Sequence, residues 1–302
     1  MNTSINFAGI KMKNPVTVSS GTCGYGRELS EFFNLSELGA IITKGTATTP
    51  WTGNPPPRIC ETPSGLLNSI GLQNPGVEYF LKYDLPWLRK QGTAIIVNAI
   101  GHSIEEYVEV CKVLNDSDID GVELNLSCPN VERGCAFGID YDGVKAATTE
   151  VRKVLKNKPL IVKLTPNVTD ITLTARAAED AGADAISLIN TILAMAINIE
   201  TKRPISGVNT AGLSGPAVRP IAVRMVYEVA HAVKIPILGM GGIVNGKDAV
   251  EFMMAGAAAV SIGSGTLRDP YTSVNTVKEI EEFMKTHNID DVNTLIGSVI
   301  MN

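Results

Sequence analysis

Gly121-Val-Glu-Leu-Asn-Leu-Ser-Cys-Pro-Asn130 is the stretch on which the reading of this chain turns. It begins as a short apolar, alternating run, the mark of a buried strand. It stops at Ser127-Cys128-Pro129, because Pro129 has no N–H for a ladder and disfavours helix at the residue before it. Cys128 is therefore expected on a loop just past the C-terminal end of a strand, with the amides Asn125 and Asn130 on either side. A cysteine taken alone is ordinarily a small buried hydrophobe. The proline stop and the flanking amides favour instead a thiol displayed for chemistry, since sites in parallel barrels form at the C-terminal rim of the strands.

Outward from this stretch, short apolar runs alternate with helical patterns along the whole chain. Strands are expected at 16–20, 40–44, 93–98, 121–127, 159–164, 185–190, 235–239 and 259–263. Helical periodicity runs over about 77–91, 142–156 and 273–287, and Thr169-Asp170 caps an Ala-rich helix that Gly182 ends. Eight β–α alternations without a compositional break fit one α/β domain over 1–302, a single (β/α)8 barrel, better than two doubly wound halves. Two connections, 45–92 and 190–220, are too long for plain loops. Both follow strand C-termini, so both are expected as walls or lids over the face that carries Cys128.

Composition narrows the function. The 302 residues are 44% hydrophobic and 19% charged, enough to bury a substantial core. A net charge of -5 opposes nucleic acid or an anionic membrane as partner. The five cysteines are scattered and odd in number, which fits reduced thiols in a cytoplasmic protein. With no C-x-x-C spacing and only three histidines, a zinc site or iron–sulfur cluster held by this chain alone is not expected. The N-terminus has no basic-then-apolar signal pattern and no run approaches a membrane span, so a soluble protein is expected.

The strand ends would gather Ser20, Lys44, Asn98, Asn125, Lys163 and Asn190 at one mouth. A lysine ending an apolar strand either snorkels to solvent or meets an anion. Two lysines beside three amides suit a ligand with alternating carbonyl and N–H groups and some negative charge. Gly239-Met-Gly-Gly-Ile243 and Gly263-Ser-Gly265 follow the seventh and eighth strands, where glycine turns let backbone N–H groups approach a phosphate. Gly212-Leu-Ser-Gly-Pro216 would add backbone contacts. Other features read as bland. His231 and His287 are expected as surface groups, Cys111 as core, the Glu279/Glu281/Glu282 cluster as a solvated helix face, and Cys135 as unpaired with Cys128.

Taken together, Asn125-Leu-Ser-Cys-Pro-Asn130, Asn68-Ser-Ile-Gly-Leu-Gln-Asn-Pro-Gly76, Gly212-Leu-Ser-Gly-Pro216 and Gly239-Met-Gly-Gly-Ile243 resemble class 1 dihydroorotate dehydrogenases, nearest to the catalytic subunit of the NAD-linked type (1B). The resemblance runs over nearly the whole chain. It implies FMN at the barrel mouth, (S)-dihydroorotate stacked on it, and oxidation to orotate in pyrimidine biosynthesis. By position it makes Cys128 the base for the C5 proton, and places substrate against Lys44, Asn68, Ser69, Ile70, Gly71, Leu72, Asn125, Asn190 and Thr191, with Asn130 also facing it. It assigns FMN to Ser20, Lys44, Gly45, Asn98, Asn125, Lys163, Ile189, Gly215, Gly241, Gly242, Gly263 and Ser264. No metal site is implied.

The resemblance also implies a homodimer core in a heterotetramer, whose second subunit carries FAD and a [2Fe–2S] cluster toward NAD. The chain has no G-x-G-x-x-G after a strand and no cluster spacing, so it does not supply that route alone. The fumarate-dependent homodimeric type (1A) is the nearest alternative. A flavin barrel acting on another pyrimidine, a flavin-free lyase with Lys163 as Schiff base, and a non-catalytic binding barrel are further ones. Cys23 is a departure, standing where the family leads one to expect an aromatic residue, and Cys60 is likewise unusual.

Overall fold

In a computed structural model, residues 1–127 and 137–302 are described. Cys128, Asn130 and Cys135 lie outside the described residues. Eight parallel strands close into a barrel: Val16–Val18, Ala40–Ile42, Ala94–Ala99, Gly121–Asn125, Leu160–Lys163, Ala185–Leu188, Ile237–Met240 and Ala259–Ile262. Each falls inside or within a residue of its expected span. Apart from the leading Ala94, every strand residue is buried, as strands covered by helices outside and side chains inside must be. The register sets Asn98 beside Glu123, and Lys163 between Asn125 and Ser187.

An N-terminal hairpin, Ile5–Phe7 with Ile10–Met12, stops the opposite end of the barrel. Ile10 packs so tightly on the start of the fourth strand that a Cβ at Gly121 would lie 2.7 Å from its side chain. Asp120 and Asp184 brace that end, each accepting from the N–H of a neighbouring strand (Ile95 and Leu160) and from an arginine.

The connecting helices begin where capping chemistry allows. Asp170 accepts from Thr172 N at the head of Ile171–Asp180, and Ser103, Asp140 and Asn245 cap three others. The stretch 77–91, expected as one helix, is broken into Val77–Tyr79, a π-helical Phe80–Asp84, Leu85–Leu88 and a 3-10 turn Arg89–Gln91. Pro86 explains the break, since its ring has no N–H and would clash with the carbonyl one turn back; the wider turn just before it relieves that clash. Glu279 is also more than a solvated face, because its carboxylate accepts from Gly246 N at 2.5 Å, at the start of Gly246–Ala255.

The two long connections join. Ile59–Thr62 and Gly65–Asn68 from the first pair with Ala211–Ser214 and Ile192–Ala194 from the second, making a four-stranded antiparallel sheet. This sheet roofs the C-terminal face of the barrel. Among the described residues no helix is long and apolar enough to cross a membrane.

Candidate active site

The barrel mouth and the roof enclose a cavity of about 370 Å³, a size that takes a cofactor or drug-sized ligand. Every site residue expected from the sequence lines it, except Gly215 and the residues outside the described range. Gly215 is wedged between roof and barrel instead: its own Cβ would meet Gly65 Cα at 2.7 Å, and its carbonyl would sit 2.7 Å from a Cβ on Gly242.

The amides form one directional chain. Thr191 N–H donates to Asn190 Oδ1 (2.8 Å), and Asn190 Nδ2 donates to Ser127 Oγ (2.5 Å). Ser127 donates from both N (3.3 Å) and Oγ (2.6 Å) to Asn125 Oδ1. Asn125 Nδ2 then donates to Asn98 Oδ1 (3.2 Å), and Asn98 Nδ2 to Glu123 Oε2 (2.5 Å). A backbone N–H can only donate and a carboxylate can only accept, so every amide between them has one orientation. Tyr107 Oη fixes the backbone of Asn125 with a 2.8 Å bond to its carbonyl. Asn125 and Asn190 each keep one amide N–H beyond those used in the chain, suited to carbonyl groups of a planar ring.

The two lysines differ. Lys163 is almost wholly buried, 3.3 Å from Ser20 Oγ and 3.5 Å from Glu123 Oε2. Lys44 is half-buried and has no hydrogen-bond acceptor or carboxylate partner among the described residues. Burial lowers its pKa, as desolvation of a cation must; the nearby Cys23 opposes this and Arg58 adds to it. An uncompensated ammonium in a cavity calls for an anionic ligand. Ser69 Oγ, lining the cavity, is likewise buried with no hydrogen-bond partner among the described residues, a group that a ligand would satisfy.

The segment 68–72 rounds the mouth with two successive left-handed residues, Gly71 (φ 72°) and Leu72 (φ 54°). Arg58 holds it by donating to Asn54 O, Thr52 O and Gln73 Oε1. Opposite, Gly241 (φ 130°) and Gly242 (φ 84°) follow the seventh strand, and Gly263-Ser264 the eighth. A side chain at 241 would meet Ala222 at 2.7 Å, so that turn stays bare and its backbone faces the cavity.

Three contributors were missed by sequence reasoning. Glu123 and Ser127 complete the amide chain, and Asn167 joins the fifth strand's exit to the roof, accepting from Leu193 N (2.8 Å) and donating to Thr191 O (3.1 Å). Glu123 carried a signal: a carboxylate inside an apolar strand, two residues before Asn125 and so on the same face. Cys23 is buried with its Sγ 3.2 Å from Ile42 O, and burial pushes its thiol up to about 12, so it stays protonated and inert. Cys60 Sγ donates to Ile205 O at 3.2 Å within the roof.

The sequence profile of the family described as dihydroorotate dehydrogenase matches residues 2–284. The chain is 53% identical over 300 residues to the "Dihydroorotate dehydrogenase B (NAD(+)), catalytic subunit" of Thermoanaerobacter pseudethanolicus, covering 99% of each. It is 54% identical to the protein of that name from Lachnoclostridium phytofermentans, covering 99% of this chain and 100% of the other. It is 50% identical to that from Bacteroides thetaiotaomicron, over 98% of each. A dihydroorotate dehydrogenase from Eimeria tenella, solved in complex with ferulenol, superposes with a TM-score of 0.82 at 22% identity, covering 98% of this chain and 88% of that one, which supports the fold.

Proposed function

The chain belongs to the dihydroorotate dehydrogenase family, and we propose that it oxidises (S)-dihydroorotate to orotate at the roofed barrel mouth, with FMN as its cofactor. The observation that carries this reading is the pairing, in one cavity, of an uncompensated Lys44 with amides of fixed orientation and two bare glycine turns. These residues fit FMN: the turns at Gly241-Gly242 and Gly263-Ser264 suit its phosphate, and Ser20, Asn98 and Lys163 suit the polar edge of its ring. FMN, when bound, supplies a two-electron acceptor for the hydride at C6 of the substrate.

The protein's own residues do the rest. Lys44 attracts negative charge, Asn68, Asn125 and Asn190 hold the dihydropyrimidine ring, and the 68–72 turn with Ser69 receives the substrate's polar edge. Cys128, which follows Ser127 in sequence, takes the C5 proton as general base. The roof keeps water off the reacting carbons. The relatives named as catalytic subunits support an NAD-linked system, in which a second subunit bearing FAD and a [2Fe–2S] cluster carries electrons onward from a homodimer of this chain. Work in pyrimidine biosynthesis and a cytoplasmic site follow from the same reading.

The test is the visible spectrum of the purified protein during anaerobic titration with dihydroorotate. A yellow protein whose flavin band bleaches is expected, with Cys128→Ala bleaching about 10³-fold more slowly. A colourless protein that takes up no FMN would overturn the cofactor, and a yellow one untouched by dihydroorotate the substrate.

A further inference from the structure

Glu123 sits beneath the cavity, 0% exposed and not part of its wall. Three other strands aim donors at it: Asn98 Nδ2 from the third (2.5 Å), Lys163 Nζ from the fifth (3.5 Å) and Ser187 Oγ from the sixth (2.8 Å). A carboxylate taken wholly out of water persists only where donors and a cation surround it, and those three groups do so. The consequence reaches the cavity through Lys163. Its ammonium lines the wall beside Ser20, yet its charge is already balanced from below, whereas Lys44 on the same wall has no carboxylate partner among the described residues.

We propose that Glu123 is a positioning residue that sets the electrostatic strength of Lys163, leaving Lys163 a fixed hydrogen-bond donor of nearly neutral pair charge and making Lys44 the net cation of the site. This rests on the reading of the cavity as a flavin site. The division matters because a flavin gains negative charge when reduced, and an unbalanced cation beside it would favour the reduced form and hold back onward transfer. Glu123 tempers that pull.

Glu123→Gln isolates the charge. Its carbonyl oxygen can face Asn98 and Lys163, and its amide can donate to Ser187 Oγ, so the packing and the hydrogen bonds survive. In the holoenzyme, reduced FMN is then expected to bind about tenfold more tightly relative to oxidised FMN. For a two-electron couple that reads as a midpoint potential raised by about 30 mV. In a Lys163→Met background the ammonium through which Glu123 acts is gone, so adding Glu123→Gln should leave the midpoint where Lys163→Met alone puts it.

Glu123→Asp is the second handle. It keeps the charge but draws it one methylene away from Lys163, and should raise the midpoint by less. An unchanged midpoint in Glu123→Gln and Glu123→Asp would overturn the proposal, as would an equal rise with and without Lys163, which would mean that Glu123 acts on the flavin directly. Wild-type protein that binds no flavin would refute the cofactor reading itself, a result distinct from a yellow wild type with an unresponsive variant.

Discussion

The barrel wall and the roof above it are built on opposite terms. The wall is parallel, apolar and buried at nearly every position. The roof is antiparallel, its strands are two-faced, and side chains such as Ile59 and Leu193 remain about half exposed (46% and 50%). Both supply the site. Asn98, Asn125 and Lys163 stand on wall strands, while Asn68 rides the roof, where its Nδ2 donates to Gly212 O at 3.2 Å. The comparison teaches that orientation comes from the wall, where packing fixes each rotamer, and enclosure from the roof, which has little burial to hold it down.

The sharpest way to break that contrast is to cut both regions equally. Ile96→Ala in the wall, 0% exposed, should lower unfolding free energy by about 2–5 kcal/mol. Leu193→Ala in the roof should stay within about 1 kcal/mol. Urea unfolding of both variants decides this, and similar losses would mean that the roof is as structural as the wall. Next in size is Gly212→Ala, whose Cβ would fall 2.0 Å from Thr191 Oγ1 and 2.6 Å from its Cβ, prising apart two roof strands. KM for dihydroorotate should rise about tenfold, roughly 1.4 kcal/mol of lost binding, with the thermal midpoint nearly unmoved. A large fall in stability with unchanged KM would reverse the roles.

A smaller effect concerns pH. The folded pKa of Lys44 lies below its ordinary 10.5. An anion binds the protonated ammonium, so orotate affinity should fall as pH climbs through that lowered value, sooner than an ordinary lysine would allow. The same shift acts on stability with the opposite trend. Between the folded pKa and 10.5 the unfolded chain holds more protons at Lys44, so its contribution to stability rises with pH there. Calorimetric orotate titrations across the alkaline range, with Lys44→Met as reference, would show the first trend, and pH-independent affinity would remove Lys44 from the contact. Smallest is the thiol prediction. Cys23 and Cys111 are both buried with pKa raised to about 12, so alkylation of native protein at neutral pH should leave both unmodified.

How much of this was legible in the sequence follows the same divide. The wall could be read because each strand is a local apolar run ended by glycine, proline or a polar residue, and because helix caps such as Asp170 act within a few residues. Lys44, Asn98, Asn125, Lys163 and Asn190 followed from where those runs stop. The roof was legible as two long connections lying over the C-terminal face, but its strands and their pairing were not. Ile59-Cys-Glu-Thr62 alternates over only four residues, and its neighbours in the sheet come from a second connection far along the chain. Glu123 was visible but passed over, since periodicity marks a strand without saying what a charge inside it answers to. The break near Pro86 was legible too, had the proline been weighed above the helical pattern around it.

The roof's pairing also dictates an order of events in the making of the molecule. Asn68 meets Gly212 across 144 positions, so the hairpin at 59–68 has no edge to join until the chain beyond 211–214 exists. Contacts of such long separation form late, after nearer ones have drawn the ends together. On the ribosome, the first six strands of the wall emerge while the mouth they frame still stands uncovered, the second half of the roof follows, and the last two strands with their glycine turns complete the cavity only after it.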